Sequence, residues 1–280
     1  MRSSRKLEVK TPEQIRVMRR AGLVVAAALD RMAKAVEPGI STADLDAIAA
    51  AVLRERDAQP SFLGYHGYPA VVCVSVNDEV VHGIPGPRVL HEGDIVSIDF
   101  GAIVTDNRGQ GWHGDAAVTV FVGDASAEDA ALSDVTRSAL WAGLAAAQAG
   151  GRLSDIGAAV EGVVRAAPHP YGILADYTGH GIGTAMHLPP SVENFGPAGR
   201  GPVLQAGLAL AVEPMVTIGS PDTDVLEDDW TVVTCDGSRA CHWEHTVAIT
   251  AQGPWVLTEP DGGAAAFAAM GVASPAASLG

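Results

Sequence analysis

Apolar residues recur at helical spacing along two stretches of the chain, residues 12–35 (PEQIRVMRRAGLVVAAALDRMAKA) and 128–149 (EDAALSDVTRSALWAGLAAAQA), which predicts an amphipathic helix over each. Elsewhere the period falls to two. In IVSIDF (95–100), Val96, Ile98 and Phe100 alternate with Ser97 and Asp99, and in GDAAVTVF (114–121) Asp115 opens a run that continues to Val118, Val120 and Phe121. The pair predicts two strands and the turn between them. Each strand nevertheless carries an aspartate among its apolar residues.

The pattern repeats along the chain, which is the first thing a sequence of this length should be searched for. After each helix comes a turn and a second helix start, GISTADLDA from Gly39 and GGRLSDIGA from Gly150. HGIP (82–85) is echoed by HLPP (187–190), LHEGDIVSID (90–99) aligns without a gap on LQAGLALAVE (204–213), and WHGDAAVTVF (112–121) is echoed by HWEHTVAIT (242–250). Two similar α/β halves, about 11–123 and 126–252, are therefore expected within one catalytic domain over 1–260. The Ala/Gly-rich segment 261–280 is expected to be a disordered tail.

This alignment changes the reading of the acids. Asp99 and Glu213 fall at one repeat position, six residues after Gly93 and Gly207, and Asp115 and Glu244 pair likewise at the start of the closing strands. Any one of them alone would sit at a strand end in water. Four at repeat-equivalent positions converge near a pseudo-two-fold axis, where their mutual repulsion calls for positive charge. Divalent cations on oxygen ligands supply it. A nitrogen ligand is available in YTGHGIGTAMHLPP, where His180 lies between Gly179 and Gly181, glycines that leave room for close approach of a ligand. His82 and His187, taken alone, read as structural or surface histidines.

Composition narrows the alternatives. At 280 residues and 48% hydrophobic the chain buries a full core, and its net charge of -15 argues against DNA as a partner. The charge is uneven: nine of the 18 Lys and Arg lie in residues 1–34 against three acids, a local +6. That segment reads as a solvated helix face, or as a surface for transient contact with ribosomal RNA. No basic, apolar, small-residue progression opens the sequence and no apolar run reaches membrane length, so no signal peptide or span is expected, and three cysteines without a C-x-x-C lead to the expectation of the reducing cytoplasm. A Walker loop, a G-x-S-x-G elbow and an H-E-x-x-H zinc helix are all absent, and GHGIG does not fit G-x-G-x-x-G.

PSFLGYHGYP (60–69), VCVSVNDEVVHGIPG (72–86), GHGIG (179–183), VEPMV (212–216), DDWTVVT (228–234) and WEHTVAIT (243–250), in this order, resemble the type I methionine aminopeptidases, in their short bacterial form. The resemblance runs from about residue 11 to 258. It implies the pita-bread fold, an antiparallel sheet in two related halves covered by helices, around two divalent metal ions drawn from Co, Mn, Fe and Zn. It implies that Asp99 chelates one metal, that Asp115 and Glu244 bridge both, and that His180 and Glu213 complete the second. His82 then lines the substrate cleft, and His187 hydrogen-bonds the scissile carbonyl oxygen or amide nitrogen. Tyr65, Tyr68, Cys73, Trp230 and Phe62 form the methionine pocket; without the resemblance these aromatics read as ordinary core. Two metals about 3.5–4 Å apart supply hydroxide near neutral pH and polarise the carbonyl. Glu213 would carry protons to the leaving nitrogen while His187 stabilises the developing oxyanion. The implied substrates are N-terminal Met peptides and nascent chains with a small second residue, acted on by a monomer.

Three features depart from the family pattern. Asp99 and Asp115 are sixteen residues apart, longer than the family spacing, and the excess, TDNRGQG, is expected to lengthen the hairpin turn without shifting its register. Leu188 and Met186 flank His187 where an acid and an aromatic are frequent, which changes the cleft rim and the pocket. A prolidase or aminopeptidase P of the same fold, and a binding protein that has lost its metals, are the competing readings. Only about ten residues precede the first repeat helix where proline-specific relatives carry an extra domain, and all five ligand positions hold competent residues.

Overall fold

The computed structural model describes residues 7–278. Helix α1, Pro12–Ala35, starts where the apolar period starts, with Thr11 and Gln14 bonding each other's backbone N–H in a capping box and Pro12 at the first turn. Helix α2 spans Thr42–Glu55, α3 spans Ala127–Ala146 and α4 spans Leu153–Ala166. The α3 helix ends three residues before the periodicity does, because the chain there turns through Gly150 at φ 90°.

The repeat is physical. Asp44 accepts the N–H of Ser41 at the head of α2, and its counterpart Asp155 accepts the N–H of Arg152 at the head of α4. Gly39 and Gly150 each donate to a buried leucine carbonyl, of Leu90 and Leu204 respectively. Gly93 and Gly207 both adopt positive φ, 83° and 98°, and donate to Val122 and Ile249. Only glycine takes this conformation without strain, so each half enters its acid-bearing strand through the same turn.

The strands form a nine-stranded sheet and two three-stranded ones, and every pairing among the described residues is antiparallel. In the large sheet, strands Ile95–Thr105 and Gly111–Phe121 from the first half meet Glu244–Thr250 and Ala209–Val212 from the second along a central seam. Helices α1 and α2 bury Val96, Ile98, Phe100 and Ala116 on one face, and α3 and α4 bury Leu210, Val212, Val247 and Ile249. The period of two then turns the intervening residues, Asp99 and Asp115 among them, to the opposite face.

The hairpin ladder is unbroken from Ile95↔Phe121 to Thr105↔Gly111, so the extra residues leave the register intact. Its turn is closed by Asp106, whose side chain accepts from the N–H of Arg108 and Gln110 and from Trp112 Nε1.

The C-terminal segment corrects the expectation of disorder. A short helix, Ala264–Ala269, buries Phe267 in the core against Trp141 of α3, with ring centroids 5.6 Å apart. One large side chain anchors a stretch whose composition is otherwise featureless. The segment before it is held by Arg19, whose guanidinium donates to the carbonyls of Val256, Leu257, Glu259 and Pro260. Of the other basic residues near the N-terminus, Arg2, Arg5 and Lys6 lie outside the described residues. Lys10 is buried beside Glu8, while Arg31 and Lys34 pair with Glu55 and Asp30. Cys73, Cys235 and Cys241 are all free thiols. No helix among the described residues is long and apolar enough to cross a membrane.

Candidate metal centre and active site

The strand register assembles the acids. Asp99 faces Ala117, and Glu244 faces Ala117 from the other side, so the two carboxylates lie in one row across three strands. Asp115 is one step along the middle strand, facing Gly101, on the same face and diagonal to both. Glu213 follows the last residue of Ala209–Val212, and His180 faces Ala211 from the strand Gly179–Gly181. Side-chain donors of Asp115, His180 and Glu244 lie within 4.8 Å of one another.

Gly179 and Gly181 have a different purpose from the one their spacing suggested. A Cβ on Gly179 would strike the carbonyl of Ala211, and one on Gly181 that of Pro189. These glycines let neighbouring backbones close on His180 from both sides, and the room they give goes to strands, not to a ligand.

The electrostatics follow from burial. Asp115 and Glu244 are only 4% and 2% exposed. Asp99 Oδ1, Asp115 Oδ1 and Glu244 Oε1 are buried without hydrogen-bond partners among protein atoms. Burial first, then repulsion from neighbouring carboxylates, pushes Asp99, Glu213 and Glu244 well above the carboxylate range, and burial pushes Asp115 up to about 7. His180 is pushed down to about 3 by burial and by His187. With its Nδ1–H donating to the carbonyl of Gly181 at 3.0 Å, the lone pair of Nε2 is left 3.4 Å from Glu213 Oε1. Two lone pairs facing each other, and carboxylate oxygens with nothing to accept, are what a divalent cation satisfies; its charge also reverses the pKa logic of its ligands. The residues fit such an ion, with mixed oxygen and nitrogen donors suited to a first-row transition metal.

Beside this cluster lies a cavity of about 100 Å³ lined by Phe62, Tyr65, Tyr68, Cys73, His82, Asp99, Asp115, His180, Met186, His187, Glu213, Trp230 and Glu244. All twelve residues singled out in the sequence meet there. Cys73 faces Asp99 across the ladder, which sets the apolar end directly against the carboxylates. Tyr68 spends its hydroxyl on the carbonyls of Val72 and Gly83, at 3.0 and 3.1 Å, and presents only its ring to the pocket. Trp230 meets that ring edge-on at 5.0 Å. Burial raises the Cys73 thiol, so it stays protonated and acts as a soft apolar wall.

Two histidines stand at the mouth. His187 is exposed and its Nδ1 lies 2.7 Å from the Tyr65 hydroxyl; with that hydroxyl donating, Nε2–H is free to donate elsewhere. His82 is held at φ 61°, between the rings of Tyr177 and Trp230, and burial lowers its pKa to about 4. A non-glycine residue at positive φ costs backbone energy that the surrounding packing must offset. Met186 completes the pocket wall and is 4% exposed, whereas Leu188 is half-buried at the start of the strand Leu188–Val192. Sequence reasoning passed over His242, which joins Glu213 and Glu244 in a second group of converging donors. The available signal was its place two residues before Glu244.

Known proteins resemble this chain over nearly its whole length. Methionine aminopeptidase 1 of Mycobacterium tuberculosis is 53% identical over 263 residues, covering 92% of this chain and 97% of its own. Methionine aminopeptidase 1 of Bacillus subtilis is 45% identical over 249 residues, covering 89% and 98%. The crystal structure of methionine aminopeptidase from Thermotoga maritima superposes with a TM-score of 0.86 at 41% identity, covering 91% of this chain and all of that one. The prolidase from Pyrococcus furiosus shares the fold, with a TM-score of 0.70 at 19% identity, but this chain spans only 65% of it. Residues 16–251 match the sequence pattern of metallopeptidase family M24, and the chain belongs to that family.

Proposed function

We propose that the chain is a methionyl aminopeptidase that removes the N-terminal methionine from peptides and nascent chains, preferring a small second residue. The observation that carries this reading is one cavity in which buried carboxylates with unsatisfied oxygens adjoin an apolar pocket ending in Cys73 and Met186. An unbranched thioether suits such a polarisable, aromatic-lined pocket. Its narrowness sets the side chain's depth and brings the first peptide bond to the carboxylates.

Asp99, Asp115, His180, Glu213 and Glu244 would hold two divalent ions, from among Mn, Fe, Co and Zn. When bound, such ions lower the pKa of a water to near neutral and polarise the scissile carbonyl. His187 stands where Nε2–H donates to the oxygen on which negative charge develops. Glu213 takes a proton from the attacking water and passes it to the leaving nitrogen. His82, wedged between Tyr177 and Trp230, borders the path of the second residue. Burial keeps His82 neutral near pH 7, so it does not repel the substrate's α-ammonium group.

We assign the enzyme to the cytoplasm as a monomer, with the exposed Arg16, 3.9 Å from Glu13 Oε2, and the exposed Arg20 on α1 as the cations for a transient ribosome contact. Co-sedimentation with ribosomes unchanged on reversing both charges would remove that contact. The decisive assay is methionine release from a Met-Ala-Ser peptide by metal-stripped protein, with Mn, Fe, Co or Zn added back, beside Asp115→Asn. Metal-dependent release that the substitution abolishes supports the reading. Cleavage of an X-Pro peptide instead, or no bound metal, overturns it.

A further inference from the structure

Each half of the chain places a histidine two residues before its central carboxylate, His113 before Asp115 and His242 before Glu244, the second at the end of a strand in a separate three-stranded sheet. The first is provided for: His113 Nδ1 lies 2.9 Å from Ser61 Oγ. The second is not. His242 is 2% exposed, and its Nε2 is buried with no hydrogen-bond partner, 3.8 Å from Glu213 Oε2.

The backbone fixes the ring at this spot. The N–H of His242 lies within reach of Ser97 Oγ at 3.2 Å and Thr119 Oγ1 at 3.3 Å, and its carbonyl accepts from Thr119 Oγ1 at 2.7 Å. Met215, two residues after Glu213, is its partner in the strand ladder. Two imidazoles thus bracket one carboxylate, His180 at Oε1 and His242 at Oε2. Their needs are opposite. His180 has its hydrogen on Nδ1, bonded to Gly181, and offers a lone pair that requires a cation. His242 Nε2, 3.8 Å from Oε2, needs a hydrogen and a closer approach of the carboxylate, not a cation.

We propose that His242 is a positioning residue for Glu213: a small turn of the carboxylate closes the 3.8 Å gap to hydrogen-bond length, Nε2–H then donates to Oε2, and Oε1 is held toward His180 and the ion they would share. The inference rests on the reading of Glu213 as metal ligand and proton carrier. Outer hydrogen bonds of this kind orient metal-binding carboxylates, and losing one typically costs about 10- to 100-fold in affinity or activity.

The test compares His242→Gln, which keeps an N–H donor, with His242→Leu, which fills the space without one. Each is stripped of metal, titrated with Co(II) by calorimetry and visible absorption, and then assayed for methionine release. His242→Gln should stay within about threefold of wild type in both readouts. His242→Leu should weaken Co(II) binding and lower kcat at least about tenfold, with KM within about twofold. Unchanged Co(II) binding and kcat in His242→Leu, or equal impairment of the two variants, overturns the proposal. So does loss of a whole equivalent of Co(II) with the spectral change of His180→Ala, which would make His242 a ligand. Thermal unfolding of each stripped variant separates these outcomes from misfolding. Calorimetry reads them even if the wild type releases no methionine, so failure of the proposed activity is told apart from failure of this inference.

Discussion

The two halves of the sheet are built alike and equipped differently. Each has a helix pair on its outer face, an aspartate capping the second helix, a positive-φ glycine before the acid-bearing strand and a closing strand at the central seam. The first half sets its acids inside eleven-residue strands, both as aspartate. The second sets them at strand ends, Glu213 just past a four-residue strand and Glu244 at the first residue of its own. A short carboxylate in mid-ladder is placed by the register, whereas a longer one at a strand end reaches inward on an additional methylene. The second half also supplies the imidazole of His180. A repeated scaffold thus yields an all-oxygen donor side and a side with mixed oxygen and nitrogen donors.

The largest effects should come from the seam, where the comparison predicts equality. Asp115→Asn and Glu244→Gln each remove a charge that both ions would share, and several kcal/mol of lost stabilisation corresponds to roughly a 10³-fold fall in kcat/KM. Steady-state methionine release and metal content by atomic absorption check this. A large fall for one and none for the other would break the equivalence of the halves.

Next in size is His187→Ala, which removes a donor at the mouth and leaves the carboxylates intact. A fall in kcat of about 10²- to 10³-fold is expected, with metal content unchanged. If bound metal drops with it, His187 belongs with the ligands and the division between metal cluster and cleft is wrong.

Much of this was legible in the sequence because the same physics wrote it twice. The alternation in IVSIDF turns Asp99 away from the helices, and the ungapped match of 90–99 on 204–213 puts Glu213 at the position of Asp99 in the second half. Other features depend on contacts remote in the chain. The spacing of Gly179 and Gly181 is identical whether a ligand or a neighbouring strand fills the room. Phe267 is one aromatic in an uncharged tail, and nothing local says that Trp141 awaits it. His242 shows its role only when its unpartnered nitrogen is seen against Glu213.

A subtler contrast lies in pH. In metal-stripped protein, the histidines pushed down to about 3–4 make stability rise with pH until their unfolded value near 6.5 is passed, because the unfolded chain binds the extra protons. The raised carboxyls act oppositely: the folded state holds protons that the unfolded state has lost, so each removes stability as pH rises toward its folded pKa. Above about pH 6.5 only this second effect remains. The melting temperature of chelator-treated protein should therefore fall from pH 6.5 to 8.5, by a few degrees per kcal/mol lost. Saturating Mn should abolish the fall, since ionised carboxylates are then the bound form. A melting temperature that rises over this range would mean the carboxylates are already compensated by protein groups.

The smallest effect is expected at the histidine of the first half. His113→Leu leaves the buried Ser61 hydroxyl without its partner, a loss of about 1–3 kcal/mol in stability, visible as a lower melting temperature. Co(II) affinity should stay within about threefold of wild type, because Ser61 rather than a metal-binding carboxylate takes up the ring nitrogen. That outcome beside a tenfold or larger loss in His242→Leu would show that repeat-equivalent residues have divided their work, one holding a loop and the other orienting an acid. Equal losses of affinity would mean that both histidines support the ions in the same way, and that the asymmetry of the site resides in Asp against Glu and in His180 alone.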